Sequence, residues 1–475
     1  MSNNIEKNNT LLWGKMAMLL IGCVLVVRLI SLFSFPLMDT TEARYGEMAR
    51  IMAETGDWIT PMFDYNVPFW GKPPIFTWIS AAGIELFGIN EFAVRVPHLL
   101  LTVLMLVMSY WFVNSELKNK VLALTTVAIT ATSAVFIVVG GSVMTDTALT
   151  LAITLGMMSF WKFSQSEVKS KEAYKWGLIF AVAMSIGMLS KGPLTLVLVG
   201  ISLFGWLAFN NQWRLLLSFP WISSLGLFFA LSVPWYIAAE LKTPGFLDYF
   251  IVGEHFKRFV VSGWEGDLYG SAHKEARGMI WVHWLGAALP WSPLLIWQTI
   301  KGLRSGDASE KGKPSLRSFL WCWMLAPMIL FTMSGNILAS YTMPAIPAMA
   351  ILVAMNINFE SKKQFTLVKI CGLSISVILI IVTGLLGNNL TSKQAEKGLL
   401  TSWKLQSNHT ELPLYYVGKR PFSGQFYSDG LAQQVTNKEE ITIPSYVVID
   451  TKRIESINGC NAIADSKRRR LLYCP

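Results

Sequence analysis

Long apolar runs, each followed by a short polar stretch, make up most of the chain. The first run extends from about Trp13 to Phe35. Others centre near residues 103, 130, 154, 182, 201, 228, 290, 326, 347 and 376. Runs of this length fit helices that cross a bilayer and are too long for barrel strands. The pattern therefore predicts a polytopic α-helical membrane protein with about eleven transmembrane helices, and up to thirteen if shorter runs also cross. Thr77 to Phe87 is apolar but too short to span, and is expected to form a re-entrant or interfacial piece. The first run lacks a small-residue cleavage site and reads as an uncleaved signal anchor.

Charge in the short loops sets the expected orientation. Loops 115–120, 163–175, 210–214, 301–317 and 357–364 are rich in Lys and Arg, as inner loops are. The N-terminus is then inside, and an odd number of spans puts the C-terminus outside. Loops 36–91 and 241–278 are outer loops, long and rich in charge and aromatics. Beyond Gly387 the chain turns polar, with alternating stretches LPLYYVG, GQFYSD and SYVVID that read as strands. The expected domains are a membrane part, residues 1–387, and a small α/β domain outside the membrane, residues 388–475. Cys460 and Cys474 lie in that tail and can pair if the compartment is oxidising, or stay free. The run KRRR at 467–470 reads as a solvated or lipid-headgroup-facing cluster.

The stretch Asp39 to Lys72 concentrates charge directly after the first span. Asp39, Glu42, Arg44, Glu47 and Arg50 fall within a dozen residues, and Lys72 precedes Pro73-Pro74. Tyr45, Met48 and Met52 recur at helical spacing. The expectation is a short helix along the interface, apolar side down, with Asp39 and Glu42 at its N-terminal end, where the helix dipole favours negative charge. The tight outer loops also carry one ionisable group each, Asp146 and Lys191. Charge at the edge of a membrane core is costly and is usually retained for function. With Arg95, Glu254, His255 and Arg258, these residues predict a polar cavity opening outward. His98, after Pro97 at the start of a span, reads as structural.

Only 15% of residues are charged and 53% are hydrophobic. The net charge of +10 sits largely in inner loops, so it does not indicate nucleic acid. There is no P-loop or dinucleotide fingerprint, which argues against a soluble nucleotide donor. Lys72, Lys191, Arg44, Arg95 and Arg258 offer cations suited to phosphate. Asp39, Glu42, Asp146 and Glu254 offer carboxylates. A phosphate-bearing lipid suits such a cavity: a carboxylate can orient or deprotonate an acceptor hydroxyl while cations stabilise a phosphate leaving group. Glu254 and Arg258, at i and i+4, share a helical face. The competing readings are a transporter or flippase of a lipid-linked glycan and a non-catalytic accessory subunit. Internal repeats and midplane charges, expected of a transporter, are not seen.

The motifs MDTTEARYGEMA, GDW at 56–58, FWGKPPIFTW, VMTDTALT, LSKGPL, GEHFKRF and SYTMPAIPAMA occur in that order. In them the chain resembles the aminoarabinose lipid A transferase family, within the protein mannosyltransferase-like group of GT-C glycosyltransferases. YYVGKRPFSGQFY in the tail is similar to that family's periplasmic domain. The resemblance implies a GT-C-like fold in the bacterial inner membrane, multi-pass, with its active site facing the periplasm. It implies an inverting transfer of one sugar from an undecaprenyl-phosphate donor to lipid A or another envelope glycan, by a monomer. Asp39 then corresponds to the first-loop catalytic aspartate, with Glu42 and Asp146 as further candidates. Lys72 and Lys191 match lysines near the donor phosphate, and Asp146, His255 and Tyr341 match groups of the family's cavity; from their charge alone, Arg44 and Arg258 are expected to join the phosphate site and Arg95 and Glu254 to line the cavity. One departure concerns a cofactor. The family places Glu before the Lys-Pro-Pro to help hold a divalent metal (Zn, Mg or Mn), whereas this chain has Gly71. Weak or absent metal dependence is expected.

Overall fold

A computed structural model describes residues 2–39, 41–261, 264–270, 274–305, 315–385, 395–407, 412–451 and 459–475. The expected boundary at 387/388 lies outside the described residues. Two compact units emerge, each discontinuous in sequence. One holds residues 1–28, 68–76 and 98–379; the other holds 29–67, 77–97 and 380–475.

The first unit is helical. Its core is one continuous apolar cluster in which Trp13, Trp206, Trp291 and Trp323 are fully buried. Several of these indoles also satisfy their N–H groups. Trp291 Nε1 donates to Thr132 Oγ1 at 3.1 Å, and Trp323 Nε1 to the Pro344 carbonyl at 3.0 Å. Among the described residues, four helices are long and apolar enough to cross a membrane by themselves: Asn9–Ser34, Glu91–Leu117, Lys171–Lys191 and Trp221–Lys242. A fifth arises if Met279–Ala287 and Ser292–Arg304, bent by 105° at their junction, count as one span. The protein is thus a helical membrane protein, and fewer of its helices than the eleven expected pass by length and apolarity.

The difference has local causes. The run near residue 290 breaks where Pro290 removes a backbone donor, so no straight helix can pass through. The run near residue 130 stops at Ala131, and a separate short helix, Ala134–Val139, follows. Arg28, inside the first apolar run, is buried and donates its Nε to the Gly140 carbonyl at 2.8 Å, at the end of that short helix. A backbone carbonyl in an apolar core needs such a donor.

The second unit contains the Glu42–Thr55 helix and the tail sheet. The helix ends at Gly56, whose φ of 67° returns its N–H to the Met52 carbonyl. Its burial is not one-sided as an interfacial helix requires: every residue from Tyr45 to Met52 is buried, Glu47 and Arg50 included. Arg50 grips Glu47 through two bonds of 2.8 Å and reaches Glu54 and the Tyr65 hydroxyl. The helix packs against Phe422–Tyr427 of the tail.

Short strands β1 (Met62–Asp64) and β2 (Val67–Pro68) form a small ribbon, of which Val67 belongs to this unit and Pro68 to the first. The tail itself is a five-stranded sheet of β3 (Leu414–Val417), β4 (Ala432–Val435), β5 (Ser445–Asp450), β6 (Asn461–Asp465) and β7 (Arg469–Cys474), in the order β4-β3-β5-β7-β6. β4, β3 and β5 are parallel; β7 and β6 run antiparallel. β3 and β5 read as continuous apolar runs because central strands of a sheet are covered on both faces. GQFYSD, expected as a strand, lies instead in and just after the helix Phe422–Tyr427. It connects two parallel strands, and such a connection must cross over, usually as a helix. Cys460 and Cys474 are joined in a disulfide that ties the start of β6 to the end of β7. In the KRRR run Lys467 and Arg468 are exposed, and only Arg469 turns to a buried partner. Arg469 pairs with Glu396 and Arg470 with Asp465.

Candidate active site

In the first unit, two cations converge on one carboxylate. Glu254 lies in the segment Asp248–Lys257, which winds as a π-helix. That widened turn brings Phe250, Gly253 and Glu254 inside; π-turns are rare and recur at functional sites. Lys72 Nζ donates to Glu254 Oε2 at 2.7 Å and to the Gly71 carbonyl at 2.6 Å. Arg258 Nη1 donates to both Glu254 oxygens at 3.0 Å, and pairs with Asp267 at 3.3 Å. Burial raises the Glu254 pKa, but Lys72 and Arg258 outweigh it and hold the carboxyl below its ordinary range. Tyr249 and Tyr269 frame the cluster. The Tyr249 hydroxyl faces Glu254 and accepts from the Leu268 N–H, and that of Tyr269 donates to the Pro68 carbonyl at 2.8 Å.

A second pair lies in the same unit. Lys191 Nζ bonds Asp146 Oδ1 at 2.6 Å, and both side chains are almost fully buried. The ammonium also sits 4.3 Å from the centre of the Tyr341 ring, a favourable arrangement for a desolvated cation. Asp146 stands in the first turn of the helix Thr145–Gln165 and Lys191 ends the helix Lys171–Lys191. His255 links the two clusters: Nδ1 faces the Phe250 carbonyl at 2.8 Å and Nε2 the Lys191 carbonyl at 3.0 Å. A neutral ring donates to only one of these; an imidazolium donates to both. Burial, then Lys72, act against protonation, and the His255 pKa lies below its usual value. Gly192 makes this approach possible. Its φ is 69°, and a Cβ there would lie 2.6 Å from Phe250 Cζ.

In the second unit, Asp39 is clamped by the tail. Its Oδ1 accepts from the Ser423 N–H at 3.1 Å and its Oδ2 from the Ser423 hydroxyl at 2.5 Å. Burial raises its pKa above the ordinary aspartate value, against the lowering effect of Ser423 and Arg469. Glu42 and Arg95 hold each other through bonds of 2.9 and 2.6 Å. Arg95 spends its other donors on the carbonyls of Leu32, Phe35 and Pro36 at the end of the first helix. Arg44 lies over the Tyr45 ring at 5.0 Å.

The eleven residues singled out in the sequence thus fall into separate groups. Lys72, Glu254 and Arg258 come together, as do Asp146, Lys191 and Tyr341, with His255 joining them. Asp39, Glu42, Arg44 and Arg95 belong to the other unit. Asp267, Tyr249, Tyr269, Ser423 and Glu396 were not singled out, and Arg469 was read only as part of the KRRR run. Only the hydroxyl and charge of each were visible in sequence, with nothing local to pair them.

Among the described residues, the position the family uses for a metal does not supply a ligand. Position 71 lacks a carboxylate, and even a Cβ there would lie 2.8 Å from Phe69 Cζ, so a longer side chain must displace that ring. Among the described residues, no three His, Cys, Asp or Glu side chains are grouped to hold an ion.

A helical membrane unit whose loops carry paired cations and carboxylates, with a small mixed sheet at the C-terminus, is the architecture of a GT-C-like membrane protein. The family model for dolichyl-phosphate-mannose-protein mannosyltransferase matches residues 11–250, and the chain belongs to that family. The matched region includes Asp39, Lys72, Asp146 and Lys191 but ends before Glu254, His255, Arg258 and Tyr341. Undecaprenyl phosphate-alpha-4-amino-4-deoxy-L-arabinose arabinosyl transferases are similar in sequence. That of Edwardsiella ictaluri is 30% identical over 313 residues, and that of Erwinia tasmaniensis 28% over the same length. Each alignment covers 66% of this chain and 54% of the relative, so the chain matches about half the length of these proteins. Among solved structures, ArnT from Cupriavidus metallidurans bound to undecaprenyl phosphate is similar at a TM-score of 0.77 and 18% identity, covering 96% of this chain and 97% of that one. The Archaeoglobus fulgidus oligosaccharyltransferase AglB is similar at 0.51 and 11%, over 91% and 69%. At these identities the structural likenesses speak for the fold.

Proposed function

We propose that the protein is an inverting glycosyltransferase of the bacterial inner membrane. It moves one sugar from a polyprenyl-phosphate donor, of the undecaprenyl-phosphate type, to lipid A or another envelope glycan at the periplasmic face. The observation that carries this reading is the convergence of Lys72 and Arg258 on Glu254. Two fixed cations sharing one carboxylate form a slot in which a phosphate can replace or join that carboxylate. The names of the sequence relatives, which transfer a sugar from undecaprenyl phosphate, point the same way.

In this reading the acceptor oxygen attacks the sugar C1 as the C1–O bond to phosphate breaks. The polyprenyl phosphate leaves with the bonding electrons, and Lys72 and Arg258 stabilise the charge that develops on it. Asp39 orients the acceptor, and takes its proton where the acceptor is a hydroxyl. No step needs a metal. The N-terminus lies on the cytoplasmic side and the protein works as a monomer.

The test is to incubate purified protein with a panel of polyprenyl-phosphate sugars and follow release of polyprenyl phosphate. Asp39→Asn keeps the size of the side chain and removes its charge. A positioned base contributes about 10²–10⁴-fold, so with a hydroxyl acceptor, turnover should fall on that order while donor binding persists. Turnover within about threefold of the parent, in a folded variant, removes Asp39 from the mechanism.

A further inference from the structure

The hydroxyl of Ser423 has two bonds that together fix its direction. It accepts the Glu396 backbone N–H at 3.1 Å, so its own proton is committed elsewhere, and Asp39 Oδ2 at 2.5 Å receives it. The Ser423 N–H holds the other carboxylate oxygen at 3.1 Å. Two donors on two oxygens define both the place and the plane of a carboxylate. A backbone bond from Phe422 adds a third donor, and a carboxylate, with about four acceptor sites, still keeps a lone pair. Ser423 is itself fully buried.

The surroundings are built for the same purpose. Glu396, whose backbone aims Ser423, is a buried carboxylate bonded to Arg469 at 2.8 Å and to the Tyr416 hydroxyl at 3.4 Å. Arg469 comes from β7, Tyr416 from β3, and Glu396 from the segment before the helix Lys397–Ser407. Asp39 and Glu396 lie close enough to repel, and the one guanidinium of Arg469 attracts both. Among the described residues, the groups bonded to or attracting Asp39 are Ser423, Phe422 and Arg469, all from the tail.

We infer that Ser423 is a positioning residue for Asp39, and that the tail sheet, through Ser423, Glu396 and Arg469, sets the orientation of the carboxylate that faces the acceptor. The inference rests on the reading of Asp39 given above. It makes the tail part of the catalytic apparatus rather than an appendage. Removing the hydroxyl leaves Asp39 with only the backbone donors of Phe422 and Ser423 in a buried setting, less firmly oriented and easier to protonate.

The test compares Ser423→Ala, Ser423→Thr and Asp39→Asn in the full-length protein over a range of pH. Ser423→Ala should lower kcat by about 10- to 100-fold, as loss of a hydrogen bond to a charged group does, and leave donor KM unchanged. A base must be deprotonated to act. Since Ser423 lowers the Asp39 pKa, its loss should also move the acidic limb of the kcat profile to higher pH. Ser423→Thr, which keeps the hydroxyl, should restore both. If the alanine variant does not fold, Ser423→Cys has nearly the same shape and a weaker donor, and should show the same shift in reduced form. A merely structural serine would lower the unfolding temperature without moving the limb. An inactive Asp39→Asn beside a Ser423→Ala with parental kcat and parental limb overturns the positioning role and leaves the function intact. An active Asp39→Asn removes Asp39 from the mechanism and the positioning role with it, while glycosyl transfer itself fails only if no polyprenyl phosphate is released by the parent.

Discussion

Asp146 and Lys191 offer the sharpest division between a structural and a functional charge pair. Their 2.6 Å bond joins two side chains with almost no exposure. At an effective dielectric of about 20, the attraction at this separation is roughly 6 kcal/mol. Desolvating two ions costs several kcal/mol each, so the pair as a whole contributes little. Removing one member is different, because it strands the other charge in an apolar setting at a cost of about 3–5 kcal/mol. Asp146→Asn should therefore destabilise the protein by that amount, and Lys191→Met should do the same. The double variant Asp146→Asn with Lys191→Met should recover most of the loss, since it buries no charge at all. Denaturation in detergent, followed by tryptophan fluorescence, measures all three. A double variant as destabilised as the sum of the singles would refute the assignment of a buried pair whose charges offset each other. Donor binding by the stable double variant then separates a structural pair from a functional one. Lost binding in a stable protein means that the pair serves the donor as well as the fold.

Three further outcomes follow from the same geometry. Glu254→Gln should lower stability at neutral pH. Because Lys72 and Arg258 hold the Glu254 pKa down, its contribution is present above the unfolded carboxyl value and fades as pH falls through the depressed one. The gap between parent and variant should thus close in acid, and a gap independent of pH contradicts the ion-pair account. Gly192→Ala forces a Cβ against Phe250 at a positive φ, and should cost about 1–3 kcal/mol, read by thermal unfolding; an unchanged midpoint would show that the turn adapts. Chelation by EDTA should leave turnover within about twofold of the untreated enzyme. Loss that Zn²⁺ or Mn²⁺ restores would establish a metal that Gly71 and its neighbours do not explain.

The sequence by itself determined the class of this protein. Apolar runs of membrane-spanning length require helices because a bilayer supplies no partners for backbone groups. The apolar strands LYYV and SYVVID were legible for a similar local reason, as was the i, i+4 relation of Glu254 and Arg258. Each depends on backbone geometry within a few residues. What lay beyond that range was decided by packing. The runs near residues 130 and 290 broke where backbone groups lost or changed partners. GQFYSD became helix and the two residues after it because two parallel strands needed a crossover, which its own alternation could not show. The partner of a buried charge is chosen by whichever segment packs against it. Lys72 and Glu254 are 182 residues apart, Lys191 and Asp146 are 45 apart, and Asp39 and Ser423 are 384 apart. The sequence supplied the charges of each unit, and only the tertiary structure assigned their partners, because desolvation obliges each to find one and nothing local says which.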